Sequence, residues 1–343
     1  MDKRSRQTAV SSNPAKRTHA KKKRKKARFI VLCSFLGLMG CFILVAGILV
    51  QYFFGDLKTQ KLTSNHEALG IAATAPQDKK VTNIALFGVD SAGSKIRGRS
   101  DAIIVLSIDN RHGKIKMSSF LRDSTVLIDD YGNDKITHAF AYGGPELAIR
   151  TLNKNFNLDI KEYVAVNFNS LADVINAVGG LDIKISEAER KEINRIMGFN
   201  QYGVKWKRVE KSGTVHLDGI QAMSYARIRK IDSDVFRAKR QQKVLNLIFE
   251  KCKDMKTTEY PGFIKKMIGL VETSLSYNDI LSLSSVMLTP NLEVVSNTFP
   301  AQEDSLRSGY NERGAWCWFF DIDAATDRLH KFIYQDIYEK EEK

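Results

Sequence analysis

Residues 81–90 read VTNIALFGVD, and this stretch sets the fold class. It is an apolar run of strand length closed by Gly88 and Asp90, the pattern of a strand buried on both faces. Residues 101–109 (DAIIVLSID) repeat the pattern across a glycine-containing loop, and residues 114–121 (KIKMSSFL) supply a third strand that runs into Arg122 and Asp123. EYVAVNF (162–168) is another strand. Between and after them come helical patterns. GGPELAIRTLNKNF (143–156) has Pro145 near its start, SLADVINAVGG (170–180) is stopped by Gly179 and Gly180, and LDGIQAMSYARIR (217–229) has Asp218 as its cap. KVLNLIFEKC, PGFIKKMIGLVETSL and ILSLSSVML continue as apolar helices, while residues 186–212 form a charged insertion of undefined shape. GAWCWFFDID (314–323) reads as a late strand and 324–338 as a closing amphipathic helix. Strands alternating with helices predict an α/β fold: a single domain over 81–338, with a central mixed β-sheet flanked by unusually many apolar helices.

The formal net charge of +14 resembles a nucleic-acid signal, but its distribution points elsewhere. Residues 1–28 carry twelve Lys or Arg against Asp2, which leaves only +3 for everything after them. Residues 29–55 then contain no charged side chain. At ~1.5 Å per residue they are long enough to cross a ~30 Å hydrocarbon core, so they are expected to form one N-terminal transmembrane helix. Positive charge before the span keeps the tail in the cytoplasm and puts the domain outside the cell. A cleaved signal peptide would need a shorter apolar run and a small-residue cleavage site. Leu38-Met39-Gly40-Cys41 is a faint lipoprotein box, contradicted by the apolar residues that continue past Cys41. Residues 56–80 lack sustained periodicity and suggest a juxtamembrane linker, with a short helix around 67–73; 339–343 form a C-terminal tail. Only Cys252 and Cys317 lie beyond the span, so no disulfide framework is expected, although a single bridge between them is open.

Charged residues gather where the strands end: Asp90, Arg97, Arg99, Asp101, Arg122 and Asp123. Ligands of α/β sheets usually sit at such ends. The richest cluster is YARIRKIDSDVFRAKRQQ (225–242), with Arg227, Arg229, Arg237 and Arg240 beside Asp232 and Asp234. Taken alone it could be an exposed charged helix start. If its side chains converge with those of the strand ends, planar guanidiniums able to donate in pairs would hold phosphate, and Asp90 and Asp101 could hold a divalent cation. Phosphoryl transfer needs positioning and charge neutralisation above all, which a basic, metal-bearing cleft supplies. The sequence contains no Walker-type motif, and a domain outside the cell meets little ATP, which argues against a nucleotide enzyme.

Several ordered blocks, NIALFGVD, GRSDAIIVLSID, SSFLRDSTVLI, KITHAFAYGG, NFNSLADVINAVGGLDI, HLDGIQAMSYARIR and DSDVFRAKRQQ, resemble the LytR-CpsA-Psr family of Gram-positive cell-envelope enzymes over the span and about residues 81–300. The resemblance implies transfer of a glycopolymer phosphate (teichoic acid, capsule or another polysaccharide) from a polyprenyl-pyrophosphate carrier to peptidoglycan, with Mg2+ (or Mn2+) as cofactor and a hydrophobic tunnel for the prenyl chain. Carried over block by block, Asp90 and Asp101 would bind the metal. Arg99, Arg122, Arg227 and Arg237 would grip the pyrophosphate, with Arg229, Arg240 and Gln241 in support. Arg122, Asp123, Arg227 and Asp234 form the expected catalytic set, the two aspartates favoured as partners that orient arginines over a general base. The family's usual Pro before this Arg-Asp pair is Leu121 here, the Thr after it is Ser124, and no Arg directly follows Asp90.

Other residues have blander readings. His138 reads as a packed or hydrogen-bonding histidine, and Trp316 and Trp318 as core or rim aromatics in preference to a sugar platform. The apolar faces of 148–152, 171–178, 244–248 and 264–271 read as core, some of which would line the prenyl site. The expected partners are therefore the lipid-linked glycopolymer, peptidoglycan and the cell membrane, without nucleic acid. A non-catalytic polyprenyl-phosphate or wall-polymer binding protein is the alternative; paired acids at 90 and 101 favour an enzyme, since binding alone needs no metal. A membrane-bound transcription regulator is disfavoured, because the tail lacks a helix-turn-helix pattern.

Overall fold

The computed structural model describes residues 55, 58–91, 96–198, 206–256, 258–286, 289 and 291–338. The chain divides into two units, Met1–Gly55 and Asp56–Lys343. The basic tail and the expected span, apart from Gly55, lie outside the described residues, as does 339–343. Among the described residues no helix is long and apolar enough to cross a membrane.

The strands in chain order are β1 (Lys58–Thr59), β2 (Val81–Val89), β3 (Ser100–Asp109), β4 (Lys114–Phe120), β5 (Thr125–Ile128), β6 (Gly132–Lys135), β7 (Glu162–Asn167), β8 (Leu181–Ile185), β9 (Gly213–Leu217), β10 (Glu272–Thr273), β11 (Glu293–Phe299), β12 (Arg307–Tyr310) and β13 (Trp316–Phe319). Seven of them make a mixed sheet in the order β1-β10-β7-β2-β3-β4-β11, and the others pair as the hairpins β5–β6, β8–β9 and β12–β13. The helices are α1 (Ile136–Phe156), α2 (Phe168–Ala177), α3 (Glu187–Gly198), α4 (Gly219–Ala226), α5 (Asp234–Lys253), α6 (Tyr260–Ile268), α7 (Tyr277–Val286) and α8 (Ile322–Gln335).

Period-two alternation divides each apolar strand between two environments. Ala85, Phe87 and Val89 of β2 and Ile103 and Val105 of β3 join the main core with Ile149, Leu152 and Phe156 of α1 and Leu329, Phe332 and Ile333 of α8. The opposite side chains, Ile84 and Leu86 of β2 with Ile104 and Leu106 of β3, line a cavity whose far wall comes from α5, α6 and α7. An unbroken apolar run thus has two apolar faces, only one of which is filled by protein.

Several boundaries differ from the sequence-based reading. The segment read as a linker belongs to the domain: β1 extends the sheet beside β10, and Leu69, Ile71 and Ala75 are buried in the main core. Residues around 67–73 form turns in place of the expected helix, tied down where Arg150 Nε and Asn153 Nδ2 donate to the carbonyls of Ala68 and Leu69. The charged insertion contains α3, which buries Ile193 and Met197 in a second core with α4 and the β8–β9 hairpin. α1 begins at Ile136, upstream of Pro145, and crosses a break at Gly143 and Gly144, the latter at φ 65°. Cys252 and Cys317 are both buried and free. The C-terminal end is locked ionically: fully buried Lys116 donates to Asp109 Oδ2 (2.7 Å) and to the Ile333 carbonyl (2.9 Å), and Lys114 Nζ reaches Asp336 Oδ2 at 2.6 Å.

Candidate active site

A register shift begins the site. β2 and β3 pair regularly up to Gly88 with Ala102, then Val89 pairs with Ser100, so Asp101 is the extra residue of a β-bulge. Bulges re-aim a side chain and locally end the ladder. The loop before it returns tightly, with the Asp90 N–H donating to the Arg99 carbonyl at 3.0 Å. Gly98 makes the return possible: it sits at φ 137°, and a Cβ there would stand 2.5 Å from the Asp90 carbonyl oxygen. Asp90, Arg97 and Arg99 are exposed.

The turn after β4 carries Arg122 and Asp123 and is held from three sides. Leu121 N–H donates to Phe299 O (2.8 Å), Thr137 N–H to Arg122 O (3.1 Å) and Trp318 N–H to Asp123 O (2.9 Å). The first of these bonds needs an amide proton, which Leu121 supplies and a proline could not. Arg122 Nη1 donates to Asp101 Oδ1 at 2.6 Å, while its Nε lies 3.3 Å from Asp123 Oδ2 and, although buried, makes no hydrogen bond among the described residues. Asp123 Oδ1 also meets Lys135 Nζ at 2.9 Å. Asp234, in the first turn of α5, hydrogen-bonds Asp123 and stands 3.2 Å from Arg237 Nη2 and 3.5 Å from Arg229 Nε. Asp101, Arg122, Asp123, Asp234 and Arg237 therefore form one mostly buried chain of interacting charges.

Titration reflects that crowding. Burial first, and the hydrogen bond to Asp123 second, push the Asp234 carboxyl up. Burial acts on Asp123 too, but the bond to Asp234 and the charges of Arg122 and Lys135 outweigh it and hold that carboxyl down. Burial, then the Arg122 charge, press Arg237 down to about 10. Arg237 is thus a buried guanidinium whose neighbours undercompensate it, and an incoming anion would relieve the repulsion.

Arg227 stands on the wall of a cavity. Its guanidinium lies over the Phe168 ring, 4.2 Å from the centroid, and it is the only charged side chain among the described residues of the cavity wall. The cavity holds about 450 Å³ and is lined almost wholly by apolar groups. Along α5 one stripe leads inward: Arg237 in the ionic chain, then Gln241, Val244 and Ile248 on the cavity wall, spaced three or four residues apart. Of the apolar segments named from sequence, parts of 171–178, 244–248 and 264–271 line the cavity, whereas Ala148, Ile149 and Leu152 fill the main core.

Arg240 is placed apart from the other arginines. Its Nε donates to Glu189 Oε1 at 2.9 Å and its other nitrogens pair with Asp232 and the Ile228 carbonyl, so its donors are consumed by the protein. His138 Nδ1 is 3.0 Å from Asp134 Oδ2, a local contact four residues apart on the chain. Sequence reasoning did not single out Lys135 or Phe168. Lys135 reaches Asp123 because the β5–β6 hairpin pairs it with Thr125, a register that the KITHAFAYGG block does not advertise.

Comparison with known proteins adds a second line of evidence. The model of the LytR_cpsA_psr family matches residues 51–331. The polyisoprenyl-teichoic acid–peptidoglycan teichoic acid transferase TagT of Bacillus subtilis (strain 168) is 30% identical over 274 residues, 77% of this chain and 83% of that protein. Among solved structures, "TagT bound to LI-WTA" superposes with a TM-score of 0.64 at 25% identity, covering 80% of this chain and 99% of that one. "TagT bound to LIIa-WTA" gives a TM-score of 0.61 at 26% identity, covering 76% and 94% respectively.

Proposed function

Since the chain belongs to the LytR_cpsA_psr family, we propose that it is a transferase that moves a glycopolymer phosphate from a polyprenyl-pyrophosphate carrier to peptidoglycan. The observation that carries this reading lies along α5, where Arg237 of the buried arginine–aspartate cluster is followed one turn later by Gln241 on the wall of an apolar cavity of about 450 Å³, which Arg227 also lines. A cavity so apolar suits a prenyl chain, and the arginine cluster suits its pyrophosphate.

In the proposed reaction a peptidoglycan hydroxyl oxygen bonds to the phosphorus that bears the glycopolymer. The bond from that phosphorus to the carrier's bridging oxygen breaks, polyprenyl phosphate leaves with the electron pair, and the hydroxyl proton passes to water. Arg122, Arg227, Arg229 and Arg237 neutralise the charge that builds on the phosphate oxygens, while Arg99, exposed at the loop, and Gln241, on the cavity wall, contact the donor's ends. Asp123 and Asp234 act as positioning groups: each touches an arginine of the cluster, and the hydrogen bond between them fixes both. Arg240 supports the site from behind by holding α5 to Glu189 and Asp232. Mg2+, or Mn2+ in its place, fits the oxygen-only donor set of Asp90 and Asp101, one of whose oxygens is engaged by Arg122, and would add positive charge at the phosphate.

The proposed topology has 1–28 in the cytoplasm, 29–55 in the membrane and the domain on the outer face, supported by the charge asymmetry of the sequence. Protease added to intact protoplasts should remove the domain and spare the tail. The enzymatic reading is tested with the full chain in detergent, by following transfer of a short polyprenyl-pyrophosphate-linked sugar to peptidoglycan oligomers. Tight, metal-independent carrier binding without transfer, across several donors, would identify a binding protein instead.

A further inference from the structure

Strand alternation puts Ser308, Tyr310, Trp316 and Trp318 on one face of the β12–β13 hairpin and Cys317 on the other. Cys317 is fully buried, whereas Tyr310 is 75% exposed and Trp316 36% exposed. Trp316 and Trp318 meet edge to face, with ring centroids 4.9 Å apart, and the Trp318 Nε1–H is buried without an acceptor among the described residues. One face of the hairpin thus carries buried Cys317 with half-buried Gly309 and Phe319, and the other displays the exposed rings of Tyr310 and Trp316.

Two anchors fix that display beside the cluster of charges. At the tip, Arg313 bonds Asp134 Oδ2 at 3.0 Å and the Tyr131 carbonyl at 2.7 Å. At the other end, β13 pairs with Ser124 and the Trp318 amide donates to the Asp123 carbonyl. The aromatic face is thus bonded through the backbone to the turn that carries Arg122 and Asp123, and cannot shift without moving them.

We propose that this face is the acceptor subsite, and that it binds the glycan strand of peptidoglycan with a sugar ring laid over Tyr310 and Trp316. A pyranose ring has a flat face of C–H bonds and a rim of hydroxyl and amide groups, which matches aromatic faces edged by the Tyr310 and Ser308 hydroxyls. A phosphate would go to the arginines, and a prenyl chain to the concave apolar cavity. An aromatic surface edged by hydroxyls, anchored to the turn of Arg122 and Asp123, remains for the sugar that brings the hydroxyl. The identity of the glycan rests on the transferase reading; the sugar-binding face does not.

The test uses the full chain in detergent micelles, titrated with a β-1,4-linked N-acetylglucosamine tetramer as probe and followed by tryptophan fluorescence. Saturable binding is expected, weakened roughly tenfold by Tyr310→Ala or Trp316→Ala. Tyr310 is exposed enough that its truncation leaves folding intact, so that variant stands if Trp316→Ala misfolds. In transfer assays Tyr310→Ala should raise KM for the peptidoglycan acceptor with kcat and polyprenyl-phosphate binding unchanged. Absence of saturable probe binding, or wild-type affinity in a folded Tyr310→Ala variant, overturns the proposal. Transfer by the wild type with an unaltered acceptor KM in Tyr310→Ala also sinks the platform and leaves the transferase standing. Probe binding that the variants abolish, without transfer by the wild type, has the opposite meaning.

Discussion

Arg122 donates to Asp101 from Nη1 and faces Asp123 with a buried Nε–H that makes no hydrogen bond among the described residues. A lysine has one ammonium and cannot reach two carboxylates and a phosphate at once. Arg122→Lys, and Arg227→Lys at the cavity, should each remove a charge-assisted bond of roughly 1.5–3 kcal/mol, a loss of about tenfold or more. Such bonds strengthen as charge moves onto the departing phosphate, so turnover in the transfer assay should fall further than carrier affinity measured by calorimetry. An equal fall in both would mean uniform binding without transition-state selectivity. At this scale the sequence was informative about residue type and less about role. Arg237 and Arg240 stand three residues apart in the same basic stretch, yet one joins the ionic chain at Asp234 and the other is consumed by Glu189 and Asp232. Glu189, fifty-one residues before Arg240, is the partner that the basic stretch does not reveal.

The β2–β3 bulge and its loop position the acids that are candidates for the metal. Gly98→Ala forces a side chain into a backbone conformation at φ 137° and towards the Asp90 carbonyl at 2.5 Å. Gly113→Ala is the control, since Gly113 also has a positive φ, 63°, but nothing lies within 4 Å of its Cβ. The Gly98 variant should lose roughly 1–3 kcal/mol of stability and most of its Mg2+-dependent turnover. The Gly113 variant should lose about 1 kcal/mol and keep turnover. Calorimetric melting with the transfer assay distinguishes them; similar behaviour of the two would remove the close approach from the account of the site. Leu121 shows how an element absorbs a departure from the family pattern, because its amide, unlike proline's, bonds the end of β11. The apolar strands and most helices were legible from periodicity, whereas α3 was hidden by the charge of its outer face and the start of α1 by the glycine pair at its break.

For the molecule as a whole, stability and ligand capacity reside in different places. Leu86→Trp places an indole in the cavity and away from the main core, so melting should change little while co-purified polyprenyl phosphate, read by mass spectrometry, should disappear. Retained lipid would show that the cavity is not its site. The C-terminal ionic lock predicts an acid dependence. Burial acts to raise the Asp109 carboxyl from 3.8, but the bonds from Lys116 and His112 prevail and hold it at about 2. With the folded value depressed, its stabilisation is complete above 3.8 and is lost as pH falls towards 2. Asp109→Asn should therefore flatten the fall in stability over that window, by on the order of 2 kcal/mol, in urea unfolding at stepped pH. A variant curve parallel to the wild type would remove the lock from the acid response.

By itself the sequence determined the α/β class, the apolar strands and the family, because these depend on residue type, local period and the order of blocks. Only the tertiary structure decided that the second face of the sheet borders a cavity, for strand periodicity reports an apolar face and not what covers it. Tertiary structure also decided that residues 58–80 belong to the domain, since Leu69, Ile71 and Ala75 are too sparse to signal an element and are buried by partners more than seventy residues away, Arg150 and Asn153 among those that hold them. It decided as well that Arg237 joins the buried ionic chain, that Arg240 does not, and that Lys135 pairs with Asp123. Hairpin register and a one-residue bulge set those directions, and neither leaves a period in the chain.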